Sequence, residues 1–296
     1  MDIRAIIMGL AFAVMWSSAF TSARIIVAAA PPLTALSLRF LISGLLGVLI
    51  ARMLGQSWRL TPAQWRATLL FGVCQNALYL GLNFVAMQTV EASLAAIIAS
   101  TMPLLVALAG WLLFGEKVGW LGIAGLIGGL LGVAIIMGAR LQGGGVDLYG
   151  VGLCVGGVIA LSFATLAVRG ATSGGNFLMI VGLQMLVGSA VLSVAAVATE
   201  TVEIAWSWQL VAAFAYTTLV PGLAATLVWV LLVQRIGATR AATFHFLNPF
   251  LGVAIAALIL SEALRLNDLI GVAVIMAGIL AVQVSRQKVP AQRAGD

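Results

Sequence analysis

The sequence predicts an all-α integral membrane protein of ten transmembrane helices, folded as two inverted five-helix repeats. Three observations carry that prediction. Only 8% of the residues are charged and 62% are hydrophobic, whereas a soluble domain carries about a quarter charged residues to wet its surface. Apolar stretches of about 20 residues, each long enough to cross a bilayer core, follow one another ten times. The second half of the chain also repeats the first at an offset of 146 residues.

The spans are read at 4–28, 33–54, 64–88, 92–114, 118–138, 148–170, 176–198, 208–234, 239–260 and 266–284. Breaker residues separate them: Pro31-Pro32, "LTPAQW" at 60–65, the glycines at 143–145 and "TSGGN" at 172–176. Trp16, Ser17, Ser18 and Thr21 interrupt the first span and no clean small-residue cleavage site follows it, so it is expected to stay as a helix rather than act as a signal peptide. The tail from Arg286 is polar. Cys74 and Cys154 fall inside apolar segments at no metal-binding spacing and read as small hydrophobes.

An even number of spans puts both termini on one side. With the ends in the cytoplasm, eleven of the fifteen Lys and Arg residues are cytoplasmic (Arg4, Arg52, Arg59, Arg66, Lys117, Arg169, Arg235, Arg240, Arg286, Lys288, Arg293). Arg24, Arg39, Arg140 and Arg265 lie toward the outside, with Glu91, Asp147, Glu200, Glu203, Glu262 and Asp268. The positive-inside rule therefore predicts cytoplasmic N- and C-termini in a bacterial-type inner membrane. The net charge of +6 is spread over short loops and offers nucleic acid no basic patch.

The repeat is clearest where "MQTVEASLAAIIASTMPLLVALAGWLLFGE" (87–116) aligns with "VQRIGATRAATFHFLNPFLGVAIAALILSE" (233–262). Pro103 meets Pro249, Glu116 meets Glu262, and Gly125 and Gly132 meet Gly271 and Gly278 in one register. Each copy holds five spans, an odd number, so the second must enter the membrane upside down, as in many secondary transporters. The division expected is 1–140, 141–285 and a cytoplasmic tail at 286–296.

Mid-membrane polar groups cost several kcal/mol when they face lipid unpaired, so they are expected to turn inward. Gln75, Tyr79 and Asn83 are spaced to form one stripe of the third helix. Trp16 and Ser17 lie in the middle of the first span, and Ser162 and Phe163 near the middle of the sixth. Ser100 precedes Pro103, and His245, the only histidine, precedes Asn248 and Pro249. With Trp229 these residues make the candidate substrate site, and Pro103 and Pro249 the candidate hinges, because a mid-span proline removes a backbone hydrogen bond and bends its helix. Helices one, three, four, six, eight and nine are expected to wall the cavity. Helices five and ten, with "GLIGGLLG" and "GVAVIMAGIL", read as close-packed interfaces. Arg24 and Arg39 are expected to pair structurally or to snorkel to the headgroups. Trp58, Trp65, Trp120, Trp206 and Trp208 read as interface-belt residues, and Pro221 as a local kink.

"WSSAFTSARII" in the first span, "PPLTALSLRFLISG" opening the second, and the Pro-to-Glu spacing shared by 103–116 and 249–262 resemble the EamA-type drug/metabolite transporters, and within them the YddG-type exporters of aromatic amino acids. The likeness runs from about residue 5 to 285. It implies the drug/metabolite transporter fold and export of small metabolites. One departure is plain: Ser162-Phe163 stands near where a second Trp16-Ser17 would map. The expected function is alternating-access export of aromatic or bulky apolar amino acids, the alternatives being other amino acids, small cationic drugs or a channel-like pore. No cofactor, metal or enzymatic group is expected, since one histidine without a mid-membrane carboxylate leaves little chemistry to perform. The expected partners are a small-molecule substrate and the lipid bilayer; the sequence does not fix the oligomeric state, a monomer being one option. With no buried acid to relay protons, facilitated flow is favoured over proton coupling.

Overall fold

A computed structural model describes residues 2–116, 118–142, 146–168 and 174–288. Lys117, the glycines at 143–145, Arg169 and Arg293, used above for topology and span limits, lie outside the described residues. Ten helices among the described residues are long and apolar enough to cross a membrane: α1 (Ile3–Val27), α2 (Pro32–Met53), α3 (Pro62–Ala86), α4 (Ala92–Phe114), α5 (Trp120–Gln142), α6 (Leu148–Ala167), α7 (Phe177–Thr199), α8 (Trp208–Ile236), α9 (Arg240–Leu260) and α10 (Leu266–Lys288). They differ from the predicted spans by at most four residues at any boundary.

Capping explains several starts. Asp2 accepts a hydrogen bond from Ala5 N at the head of α1 and pairs with Arg235 at the end of α8; that bond to Arg235 holds the Asp2 carboxyl down at about 2. Thr61 and Gln64 form a reciprocal capping box with Pro62 in the first turn of α3. Ser207 accepts from Leu210 N to start α8.

Four of the helices are irregular, and they fall into two repeat-related pairs. In α4 the helix breaks at Thr101, between Ala92–Ser100 and Met102–Phe114; in α9 a 3-10 turn, Thr243–Leu247, precedes Asn248–Leu260. Pro103 and Pro249 sit in the first turn after each break, because a proline has no N–H to give the carbonyl four residues back. The His245 carbonyl, left without that partner, accepts instead from Asn248 N, three residues on, which is the tighter 3-10 bond. In α3 and α8 the irregularity is a π-helix, at Gly72–Tyr79 and Val220–Ala224. Pro221 was expected to kink its helix alone; the wide turn occurs in both copies, with or without a proline.

The inversion is visible in how α5 meets α10. A Cβ on Gly125 would lie 2.6 Å from the Gly278 carbonyl oxygen, and one on Gly132 2.7 Å from that of Gly271. The contacts repeat from the other side, at 2.6 and 2.8 Å. The offset of 146 carries Gly125 to Gly271 and Gly132 to Gly278, so each contact is the image of the other and the helices run antiparallel. Backbones this close admit only glycine. The α2–α7 pair is tied in the same manner: Glu200 accepts from Leu33 N and Thr34 N at the head of α2, and Gln56 accepts from Met179 N, the repeat image of Leu33, at the head of α7. The main core, with Leu36, Phe40, Phe84 and Met87 fully buried, lies toward the face away from the termini.

Candidate functional site

A cavity of about 600 Å³ lies at the centre of the bundle, between the two repeats. Its walls come from α1, α2, α3, α6, α7 and α8, with Met102 of α4 and His245 of α9. They are mostly apolar and aromatic, with a few polar groups, which is the usual character of a small-molecule site. No Asp or Glu is among the lining residues.

Of the residues singled out in sequence, Trp16, Gln75, Tyr79, Asn83, Trp229 and His245 line the cavity. Four rings form one cluster on its wall: Phe12 stacks 4.8 Å from Trp229 and 5.6 Å from Trp16, while the imidazole of His245 meets Phe12 and Trp229 edge-on at 5.2 Å. Ser17 does not reach the cavity lining, and neither does Asn248. Its Nδ2 donates to His245 Nδ1 at 2.9 Å, and its Oδ1 accepts from Ser17 Oγ at 3.4 Å. Because the amide nitrogen can only donate, Nδ1 accepts and the imidazole proton sits on Nε2. Ser17 and Asn248 thus orient the histidine from α1 and α9.

Three expectations need correction. Phe163 is 59% exposed on the outside of the bundle. Leu161, Thr165 and Val168 make the cavity stripe of α6, and Phe163, two residues from Leu161 and from Thr165, points about 200° away from them. Ser100 and Ser162 are buried outside the cavity lining, their hydroxyls donating to the carbonyls of Ile97 and Val158 within their own helices. Arg39 does not snorkel and has no pairing partner among the described residues: it is 5% exposed and lines the cavity. Arg24 does make a structural tie, donating to the Met87 carbonyl.

Sequence reasoning missed Phe12, Asn76, Gln184 and the whole contribution of α2 and α7. Asn76 lies about 100° from Gln75 on a regular helix, off the predicted stripe. The π-helix has more residues per turn, and it brings Gln75, Asn76, Tyr79, Leu80 and Asn83 onto the cavity together. Within that wall Asn76 Nδ2 and Asn83 Oδ1 have no protein partner. Buried polar atoms of this kind are satisfied by water or a ligand.

Lining residues reach the face that carries the chain termini at Gln64, Ala67, Val168 and Phe177. Toward the opposite face the cavity stops beneath Met87, Ile26, Leu36 and Val90, each at most 3% exposed.

The EamA-like transporter family matches residues 3–138 and 148–283, one copy in each half. The chain belongs to the EamA-like transporter family. Among its relatives, the "Uncharacterized transporter YvbV" of Bacillus subtilis is 29% identical over 91% of this chain and 88% of its own length. The "Uncharacterized inner membrane transporter YedA" of Escherichia coli K12 is 27% identical over 94% and 90%. A solved crystal structure shares the fold at a TM-score of 0.67 and 21% identity, covering 97% of this chain and 99% of its own. With ten apolar helices and this family membership, the protein is a multi-pass membrane transporter.

Proposed function

We propose that this EamA-like protein exports small metabolites, foremost aromatic or bulky apolar amino acids, by alternating access around the central cavity. The observation that carries the reading is the ring cluster Phe12, Trp16, Trp229 and His245 in a cavity that Gln75, Asn76 and Asn83 also line. Flat apolar surfaces suit an aromatic side chain, and convergent donors and acceptors suit its polar end. The cavity lies between two inverted halves, where inverted-repeat carriers hold their substrates. The breaks before Pro103 and Pro249 are the proposed hinges, since helix geometry already changes there in both copies. The division into a first repeat at 1–140 and a second at 141–285 belongs to the same reading. The biased distribution of Lys and Arg supports cytoplasmic termini, and on that orientation the cavity in this structure extends toward the cytoplasm, the side from which an exporter loads.

The energy source proposed is the substrate's own gradient. A membrane-buried Asp or Glu is the usual proton relay, and none lines the cavity. Counterflow in proteoliposomes with a panel of labelled amino acids and drugs tests both parts. Aromatic amino acids should exchange, and net flux should run down its gradient with no pH difference across the membrane. Flux that needed an imposed proton gradient, and fell with His245→Ala, would replace the uncoupled mechanism with a coupled one.

A further inference from the structure

We infer that Arg39 is the anchor for a carboxylate on the transported molecule, so that the ligand class is a small carboxylic acid with an apolar or aromatic body; the inference rests on the central cavity being the transport site. Arg39 lies seven residues into α2, about 10 Å below the face where that helix begins. Its side chain is buried and lines the deep end of the cavity. Among the described residues it has no hydrogen-bond or ion-pair partner, its Nε is unpaired, and its guanidinium carbon lies 5.1 Å from the Phe40 ring centre. No carboxylate lines the cavity to neutralise it.

A desolvated cation without a counter-ion is expensive, and the fold does not require one. The repeat image of Arg39 is Met185, which lines the same cavity from α7. The charge therefore marks a single end of the hollow. The surroundings leave room for a partner. Gly222, in the π-helix of α8, faces the guanidinium, and a Cβ there would come 3.6 Å from Nη2. A planar guanidinium with free donors matches a carboxylate in two parallel hydrogen bonds. A phosphate dianion would ask for more positive charge than this one arginine supplies, and a cationic ligand would be repelled.

The test compares probes that differ only in the acid group, using the purified full-length chain in detergent and ligand-induced thermal stabilisation: L-phenylalanine against its carboxamide, and 3-phenylpropionate against 3-phenylpropionamide. The wild type should bind each acid at least about 30-fold more tightly than its amide, the scale of losing a buried charge partner. Arg39→Gln should bring that ratio to about 1 through loss of acid binding, and Arg39→Lys should keep the preference at weaker affinity. Equal binding of acid and amide by the wild type, no binding of either acid, or an acid preference that survives Arg39→Gln would each overturn the proposal. If Arg39→Gln does not fold, the wild-type ratios and Arg39→Lys still decide. Counterflow separates this inference from the transport reading. Arg39-dependent acid binding without flux keeps the anchor and removes the transport role of the site, whereas equal flux of acid and amide keeps transport and removes the anchor.

Discussion

Trp16 and Trp229 come from opposite halves of the chain and meet through Phe12 and His245. Both lie too deep for an interface belt, unlike Trp58, Trp120, Trp206 and Trp208, which are exposed near helix ends. If Trp16 of the cluster and the cavity-lining Tyr79 pack on a substrate ring, Trp16→Ala and Tyr79→Ala should each reduce transport of aromatic amino acids about tenfold, by losing an aromatic contact of about 0.5–1.5 kcal/mol together with buried area. Small aliphatic amino acids should be affected far less. Equal loss for both groups, measured as kcat/KM in proteoliposomes, would assign these side chains to folding. At this scale the sequence was legible where one residue type is costly in lipid. Trp16, His245 and the Gln75 stripe could be picked out because a polar or large amphipathic group in mid-span needs a reason. Phe12 could not, since a phenylalanine in an apolar helix is as much at home against lipid as against a cavity. Arg39 was misjudged because its distance from the headgroups allowed snorkelling, and only the packing of α2 against α7 turns it inward.

The four irregular helices show how an element can carry function while staying apolar. A regular α-helix satisfies its own backbone, which is why lipid tolerates it. Loosening it, by a 3-10 turn before Pro249 or a π-helix beside Gln75, changes which side chains share a face and leaves a place where bending costs little. Pro249→Ala restores the N–H that His245 O lacks and should draw Thr243–Leu247 into continuous α-helix. The expected outcome is slower turnover at nearly unchanged substrate affinity: kcat down about tenfold, as a change of about 1.4 kcal/mol in the switching barrier would give. Binding measured by thermal stabilisation should change less than threefold. Unchanged kcat would make the break a static kink. The two prolines announced these breaks in sequence. The π-helix of α3 gave no such signal, because its segment holds no proline and its cause lies partly in close packing: a Cβ on Gly72 would meet the Gln184 carbonyl oxygen of α7 at 2.9 Å.

Over the whole molecule the inverted plan was written in the register of Pro, Glu and Gly, while its departures from symmetry were not. The largest departure is electrostatic. Arg140 holds Asp268 through two hydrogen bonds of 3.0 and 3.1 Å, pairs with Glu91 and reaches Ser93, joining α5, α10 and the head of α4. Glu262 accepts from Ala92 N and Ser93 N beside it. At the repeat images on the terminal face, Asp268 becomes Gly122 and Glu91 becomes Gly237, so the two carboxylates that hold Arg140 have no counterparts there, although Glu262 keeps its image in Glu116. The cavity is correspondingly shut beneath the latched face and reaches the other. If transport proceeds by alternating access, as proposed above, the latch must yield, and weakening it should favour the opposite conformation. Asp268→Asn keeps the side-chain shape and leaves Arg140 its half-exposed partner Glu91, so the chain should still fold. Losing the charge in one buried hydrogen-bonded pair should shift the equilibrium by about 1.5–3 kcal/mol, at least about tenfold in population. Accessibility reads that shift once the buried Cys74 and Cys154 are replaced by Ala. A Met87→Cys reporter, under the latched face, should react about tenfold faster with an impermeant maleimide added from that side when Asp268→Asn is present, while an Ala67→Cys reporter at the other mouth should react more slowly. If both rates stay put in folded protein, the ion pairs hold the bundle together without setting which way it opens, and the direction of access must come from the packing of Leu36, Met87 and Val90 instead.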